Sequence, residues 1–185
     1  EAINGIVRHR IQHLPTGEVV AGELFWLAPL AAATTVVCLA GIPVAAGAQE
    51  VAVRVNEVLM APSSGSEWVE LYNPTASTVD VGGYYVDDVA GGGGSPKQIP
   101  AGTTIPAGGR WVFEFASGFL NNTGSESVRF VSGTGPSEVE HDAFSWSLSS
   151  TKYDQVFHRV GDGGTWCATV SPNATKGTAN PTTCP

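Results

Sequence analysis

Three glutamates, Glu57, Glu67 and Glu70, stand close together in a chain that otherwise offers little acid–base chemistry. They lie near the starts of two apolar runs. There, carboxylates can cap backbone amides or gather at one edge, with a weak calcium site as the alternative. Asp87-Asp88 and Asp162-Gly163-Gly164 tolerate calcium too, although each is far shorter than an EF-hand ligand loop, and turn chemistry accounts for Asp162. His141-Asp142 is the sole His–carboxylate neighbour pair; successive strand residues point to opposite faces, so the two cannot share one metal or proton. His158 and Arg159 are opposed in the same way. The chain has no Gly-x-Ser-x-Gly elbow, no Cys-x-x-Cys, no pair of histidines at ligand spacing and no phosphate loop, so it reads as non-catalytic with no assigned metal.

Aromatic residues supply the other candidate chemistry. Trp68, Trp111, Trp146 and Trp166, with Tyr84 and Tyr85, could stack on sugar rings or on a protein partner, against the simpler reading that most of them fill a core. Trp146, in the polar run Ser145-Trp146-Ser147, is the expected exposed contact residue. Tyr84 and Tyr85 face opposite ways, which leaves one of them exposed.

The elements that must position these groups are short and β-like, with 23 Gly and 12 Pro punctuating runs of Val, Thr, Phe, Trp and Tyr. Val51, Val53 and Val55 alternate with Ala52, Arg54 and Asn56 in a first strand with one buried face; Glu67 to Tyr72 forms a second, stopped by Asn73-Pro74. A third runs from Val79 to Asp88 and is interrupted at Gly82-Gly83, where a bulge or close backbone approach is expected. Gly91 to Gly94 makes a mobile loop, and Arg110 to Phe115, apolar on both faces, reads as a central strand. Further strands fall at 127–131, 138–144 and 155–159, and the residues beyond Trp166 form a Pro-, Thr- and Asn-rich tail. Seven or more strands without a sizeable helix predict an all-β, immunoglobulin-like antiparallel sandwich.

Leu24 to Ala48 carries no charge over 25 residues, long enough for a bilayer. Gly41 and Pro43 break a helix there, and Ala46-Gly47-Ala48 suits a signal peptidase. Residues 1–48 are therefore read as an N-terminal extension and signal peptide, with an uncleaved anchor or a buried helix as alternatives. The domain then covers 49–180 and a short tail 181–185. Export would leave Cys167 and Cys184 to pair and pin the C-terminus around Ser171-Pro172-Asn173, or to stand as separate thiols. Setting aside Arg8, Arg10, Glu1, Glu18 and Glu23 reduces 9 basic and 17 acidic residues to 7 and 14, a formal −7 that disfavours nucleic acid as a direct partner.

Laid out in order, Val55-Asn56-Glu57-Val58, Glu67-Trp68-Val69-Glu70-Leu71-Tyr72-Asn73 and Val79-Asp80-Val81-Gly82-Gly83-Tyr84 resemble the lamin-tail domain family of bacterial secreted proteins. Later matches are Ile99 to Thr103, Ile105 to Gly108, Asp162-Gly163 with Trp166, and Gly177 to Asn180. Tyr84 stands where the family usually has Trp. The resemblance makes Asn56, Glu57, Glu67, Trp68, Glu70, Tyr72 and Asn73 the motif residues. It implies a non-catalytic, secreted or cell-surface module that binds an extracellular protein or surface polymer. The alternatives are a carbohydrate-binding module using exposed aromatics, or an accessory fragment of a secreted hydrolase or nuclease. Membrane contact would come only through residues 24–48, if they stay attached.

Overall fold

A computed structural model of the protein describes residues 51–115 and 118–184. The charge-free segment 24–48, and with it the choice between cleaved signal and anchor, lies outside the described residues. What is described is all-β, apart from one 3-10 turn at Gly135–Ser137. The strands are β1 (Arg54–Met60), β2 (Trp68–Tyr72), β3 (Val79–Asp80), β4 (Tyr85–Asp87), β5 (Lys97–Gln98), β6 (Thr104–Ile105), β7 (Arg110–Glu114), β8 (Gly124–Ser132), β9 (Val139–Leu148), β10 (Gln155–Arg159) and β11 (Trp166–Val170).

They form a five-stranded sheet in the order β11-β10-β1-β2-β7, a four-stranded sheet in the order β5-β4-β8-β9 and a ribbon of β3 with β6. Every strand pairing among the described residues is antiparallel. One apolar core joins the two larger sheets. Val58, Val69, Leu71 and Phe157 come from the first, Val86, Val128, Phe130 and Trp146 from the second. The two sheets are also tied at an edge, where the Val55 amide on β1 donates to Asp142 Oδ2 on β9 (2.8 Å) and Arg159 Nη2 on β10 pairs with the same carboxylate (3.1 Å).

Three expectations about individual strands are corrected. The first strand was expected to bury one face, yet Val55 to Met60 is buried throughout. Its register shifts between Val55 and Glu57, so Asn56 is a bulge, and its second face is covered by the chain's own C-terminal segment. Arg110 to Glu114 is an edge strand, not a central one: Trp111 and Phe113 pack on the main core, while Val112 joins a second cluster of Leu59, Trp68 and Val156 on the other face of the sheet. The run from Val79 to Asp88 divides into β3 and β4, which belong to different sheets.

That division occurs at Gly82-Gly83. Gly83 has φ +84°, and a Cβ at Gly82 would lie 2.6 Å from the Gly102 amide nitrogen, so the expected close backbone approach is present. Gly82→Ala should cost about 1–3 kcal/mol, because the obstacle is backbone and cannot rotate away. Urea denaturation of the variant measures it, and a loss under 0.5 kcal/mol would show that the two loops separate freely.

Cys167 on β11 and Cys184 in the tail form a disulfide with Cα atoms 5.7 Å apart. The bond closes the segment 171–184 into a strap. Cys184→Ser should lower unfolding free energy by roughly 2–3 kcal/mol, the value expected when a loop this short is released in the unfolded chain. Reductant should shift the denaturation midpoint of the parent protein and leave that of the variant in place.

Candidate functional site

Two of the motif carboxylates, Glu57 and Glu70, meet under this strap. Antiparallel pairing places Glu57 opposite Glu70 on one side and opposite His158 on the other, so all three side chains share the outer face of the five-stranded sheet. In the open they would be solvated, but each is fully buried. Glu57 accepts from the Thr175 amide and hydroxyl, both at 2.9 Å. Glu70 accepts from the Gly177 amide at 2.7 Å and from Asn56 Nδ2 at 2.9 Å. Two carboxylates from the beginning of the domain thus hold the strap by its backbone.

The bulge explains Asn56. Taken out of the ladder, its amide bridges Glu70 and Asp162 (2.8 Å to Oδ1), and its oxygen receives the Gly163 amide at 3.1 Å. Asp162, at φ +54°, a region Asp tolerates better than most residues, also receives Arg110 Nε at 2.9 Å, Arg110 Nη2 and the Asn180 amide at 3.2 Å. Asn180 completes the ring by donating to the carbonyls of Asn56 (3.1 Å) and Arg159 (2.9 Å).

Burial decides the electrostatics of this cluster, but in opposite directions at different members. It pushes the Glu70 carboxyl up to about 7, more than the Asn56 and Gly177 donors pull it down, with Glu57 adding to the rise and Arg110 opposing it. Glu57 is likewise raised by burial, against its two Thr175 donors and with repulsion from Asp162. Burial acts upward on Asp162 too, yet the hydrogen bonds from Arg110, Asn56 and Asn180 outweigh it and hold that carboxyl below its ordinary range. Burial alone lowers His158, neither of whose ring nitrogens has a hydrogen-bond partner.

The remaining motif residues brace other loops. Glu67 takes the amides of Ala61 (3.1 Å), Phe119 (2.8 Å) and Leu120 (3.0 Å). Asn73 donates to the carbonyls of Ser77, Ile105 and Pro106 at 2.8–3.0 Å and accepts from Thr75. Trp68 fills the outer apolar cluster, and the Tyr72 ring lies 5.2 Å from the Arg110 guanidinium carbon. Amide capping is therefore what Glu57, Glu67 and Glu70 do. Backbone amides, joined by the Thr175 hydroxyl at Glu57 and the Asn56 side chain at Glu70, engage their oxygens. Among the described residues no group of three His, Cys, Asp or Glu side chains is arranged to hold a metal ion.

Trp146 is corrected from exposed to buried: it is 8 % exposed and packs on Phe144 and Phe157. Strand alternation accounts for this, since Ser145 and Ser147 take the outward positions and leave Trp146 the inward one. Tyr84 stacks on Phe130 (centroids 5.3 Å) and is only partly exposed. Tyr85 is half-buried with its hydroxyl 3.1 Å from Gln98 Nε2. A flat sugar platform built on Trp146 with Tyr84 or Tyr85 is thereby overturned. His141 Nε2 meets Ser132 Oγ at 2.8 Å while Asp142 turns to Arg159, so the neighbouring pair is divided as expected.

Sequence reading passed over Arg129. On β8 opposite Asp87, it sends Nη1 to Asp87 (2.7 Å), Nε to Glu140 (2.7 Å) and Nη2 to Glu138. The available signal was its place as the one cation in a strand whose other residues are apolar or small, apart from Glu126.

A family model described as Lamin Tail Domain matches residues 46–162. No curated protein and no solved structure matches the chain.

Proposed function

The chain belongs to the Lamin Tail Domain family, and from that premise we propose that it is an exported, non-catalytic interaction module on an immunoglobulin-like sandwich. In this reading it binds an extracellular protein or cell-surface polymer through loops and sheet edges. The observation that carries it is the engagement of Glu57, Glu67 and Glu70 with backbone amides, which supports reading the motif as a brace for loops. A brace of this kind suits a module whose task is to present loops at fixed positions.

The Cys167–Cys184 bond favours an oxidising compartment. The formal charge of −7 on residues 49–185 argues against polyphosphate partners.

Two measurements test the reading. Sequencing the mature N-terminus of the protein recovered from its host should begin at Gln49. Immobilised envelope polymers and secreted proteins should capture the protein saturably without being chemically altered. Turnover of any captured ligand, or retention of the whole chain in the cytoplasm, would sink the proposal.

A further inference from the structure

The five-stranded sheet ends on β7, and the backbone of that strand is only half used. The Asn73 amide donates to the Gly109 carbonyl (3.0 Å), and the Phe115 amide to the Glu67 carbonyl (2.9 Å). Antiparallel bonding repeats at every second residue, so Trp111 and Phe113 turn their N–H and C=O groups to Leu71 and Val69 on β2. Those of Arg110, Val112 and Glu114 point away from the sheet, and among the described residues they meet no hydrogen-bond partner.

An open edge invites a further strand, and folded proteins ordinarily blunt one with Lys, Pro, a bulge or a short length. The other edges of the two larger sheets are blunted. β5 has two residues and runs into Pro100. β9 is fastened to β1 through Asp142, and on β11 the Val170 carbonyl is taken by the Asn173 amide (3.0 Å). β7 has five residues with no Lys, no Pro and no break in its register. Its sequence, Arg110-Trp111-Val112-Phe113-Glu114, sets charges of opposite sign symmetrically about Val112, with an aromatic ring on each side between them. Rotated half a turn about Val112, the strand meets its own complement.

We propose that β7 pairs antiparallel with β7 of a second copy of this chain, across a two-fold axis at Val112. In that register Val112 faces Val112, and Arg110 faces Glu114 of the second copy. These are the residues whose N–H and C=O groups point outward, so all of those groups find partners together. A slip of one residue puts the two edges out of phase, and a slip of two sets Arg110 against Val112. Trp111 faces Phe113 of the second copy in the closer kind of antiparallel pair, with Cα atoms ~4.5 Å apart. In the single copy both rings are partly exposed, packed on the core and on each other with centroids 5.7 Å apart, so pairing covers what they still show to water. The charges are free to meet. Arg110 gives Nε and Nη2 to Asp162 and keeps Nη1, while the Glu114 side chain is 55 % exposed and held by Lys176 alone.

Five residues make a small contact, so the association is weak and appears as concentration rises. It is isologous, and it joins two five-stranded sheets into one continuous sheet. The loops are then presented in pairs, and a ligand with repeated epitopes meets two modules at once.

Sedimentation equilibrium of the intact protein should show a reversible monomer–dimer equilibrium. Over the same concentrations, amide hydrogen exchange should slow at Arg110, Val112 and Glu114. Glu114→Lys sets a lysine opposite Arg110 at both ends of the pairing and should weaken it at least about tenfold. Lys176→Ala removes the same ion pair within one copy and should leave the dimer in place, which separates repulsion across the axis from loss of that pair. Val112→Pro deletes the central outward N–H without deleting a bond to β2, and it should abolish pairing while unfolding stays cooperative. A protein that remains monomeric up to about 1 mM overturns the pairing. So does a dimer that Glu114→Lys leaves at parent strength, or one that forms without slowing those amides. None of these results bears on capture by envelope polymers or secreted proteins, so the binding-module reading stands or falls separately.

Discussion

Asp162→Ala should lower the unfolding free energy by about 3–5 kcal/mol, the largest loss expected from removing one side chain of the strap network. The carboxylate accepts from Arg110 twice, from Asn56 and from the Asn180 amide. Without it, the Arg110 guanidinium, whose side chain is 16 % exposed, retains Glu70 at 3.8 Å and the face of the Tyr72 ring. Asn180 loses the bond to its amide, and an alanine at φ +54° adds about 1 kcal/mol of strain. Asp162→Asn keeps an acceptor and tolerates that backbone, so it should fall between parent and alanine variant. Lys176→Ala breaks the exposed pair with Glu114 and should change stability by less than about 1 kcal/mol. Urea denaturation of the three variants measures the series. An Asp162→Ala loss no larger than that of Lys176→Ala would falsify the claim that this residue fastens the strap.

Glu70→Gln should be more favourable relative to the parent at pH 8 than at pH 5, by up to about 3 kcal/mol. The Glu70 carboxyl is raised from 4.5 to about 7 in the folded protein. Its protonation therefore favours folding: the contribution is fully present below about 4.5 and disappears as pH rises through 7. Glutamine resembles the protonated acid and cannot titrate. Around the site, Glu57 is also raised and changes stability in the same sense, while Asp162 is lowered and acts only in more acid solution. His158 opposes both, because a depressed imidazole withholds its proton as the unfolded chain takes one up, removing stability as pH falls below about 6.5. The parent's own pH profile mixes these terms. Its difference from the Glu70→Gln profile isolates Glu70, and a difference that stays constant between pH 5 and 8 would mean that the carboxylate is ionised throughout.

Strand positions were readable from local pattern because a two-residue alternation is a property of the strand itself. The all-β class and the motif around Glu57 and Glu70 therefore emerged without coordinates. What covers a strand is set by residues far away in sequence. Nothing near Val55 to Met60 announces that its outer face lies under Thr175 and Gly177, and the position of Arg110 to Glu114 at a sheet edge depends on a neighbour that never arrives. β11 was absorbed into the tail because Pro, Thr and Asn begin just after it. The Trp146 expectation fails differently: its polar neighbours suggest an exposed setting, while their alternation places the tryptophan inward. Asp162 was read as turn chemistry, and it does occupy a turn. Its contact with Arg110, 52 residues away, had no local trace.

The strap also orders events in time. Glu57 waits for Thr175, 118 residues further on, and Asn56 for Asn180, 124 residues further on. Until the strap emerges from the ribosome, two carboxylates and an imidazole on β1, β2 and β10 lack their cover. The domain therefore matures only once the strap is made, and a product truncated before Thr175 exposes that acidic face together with Trp68 and Leu59. Such a fragment carries its own mark of incompleteness, a hydrophobic and charged face that quality-control proteases can grip.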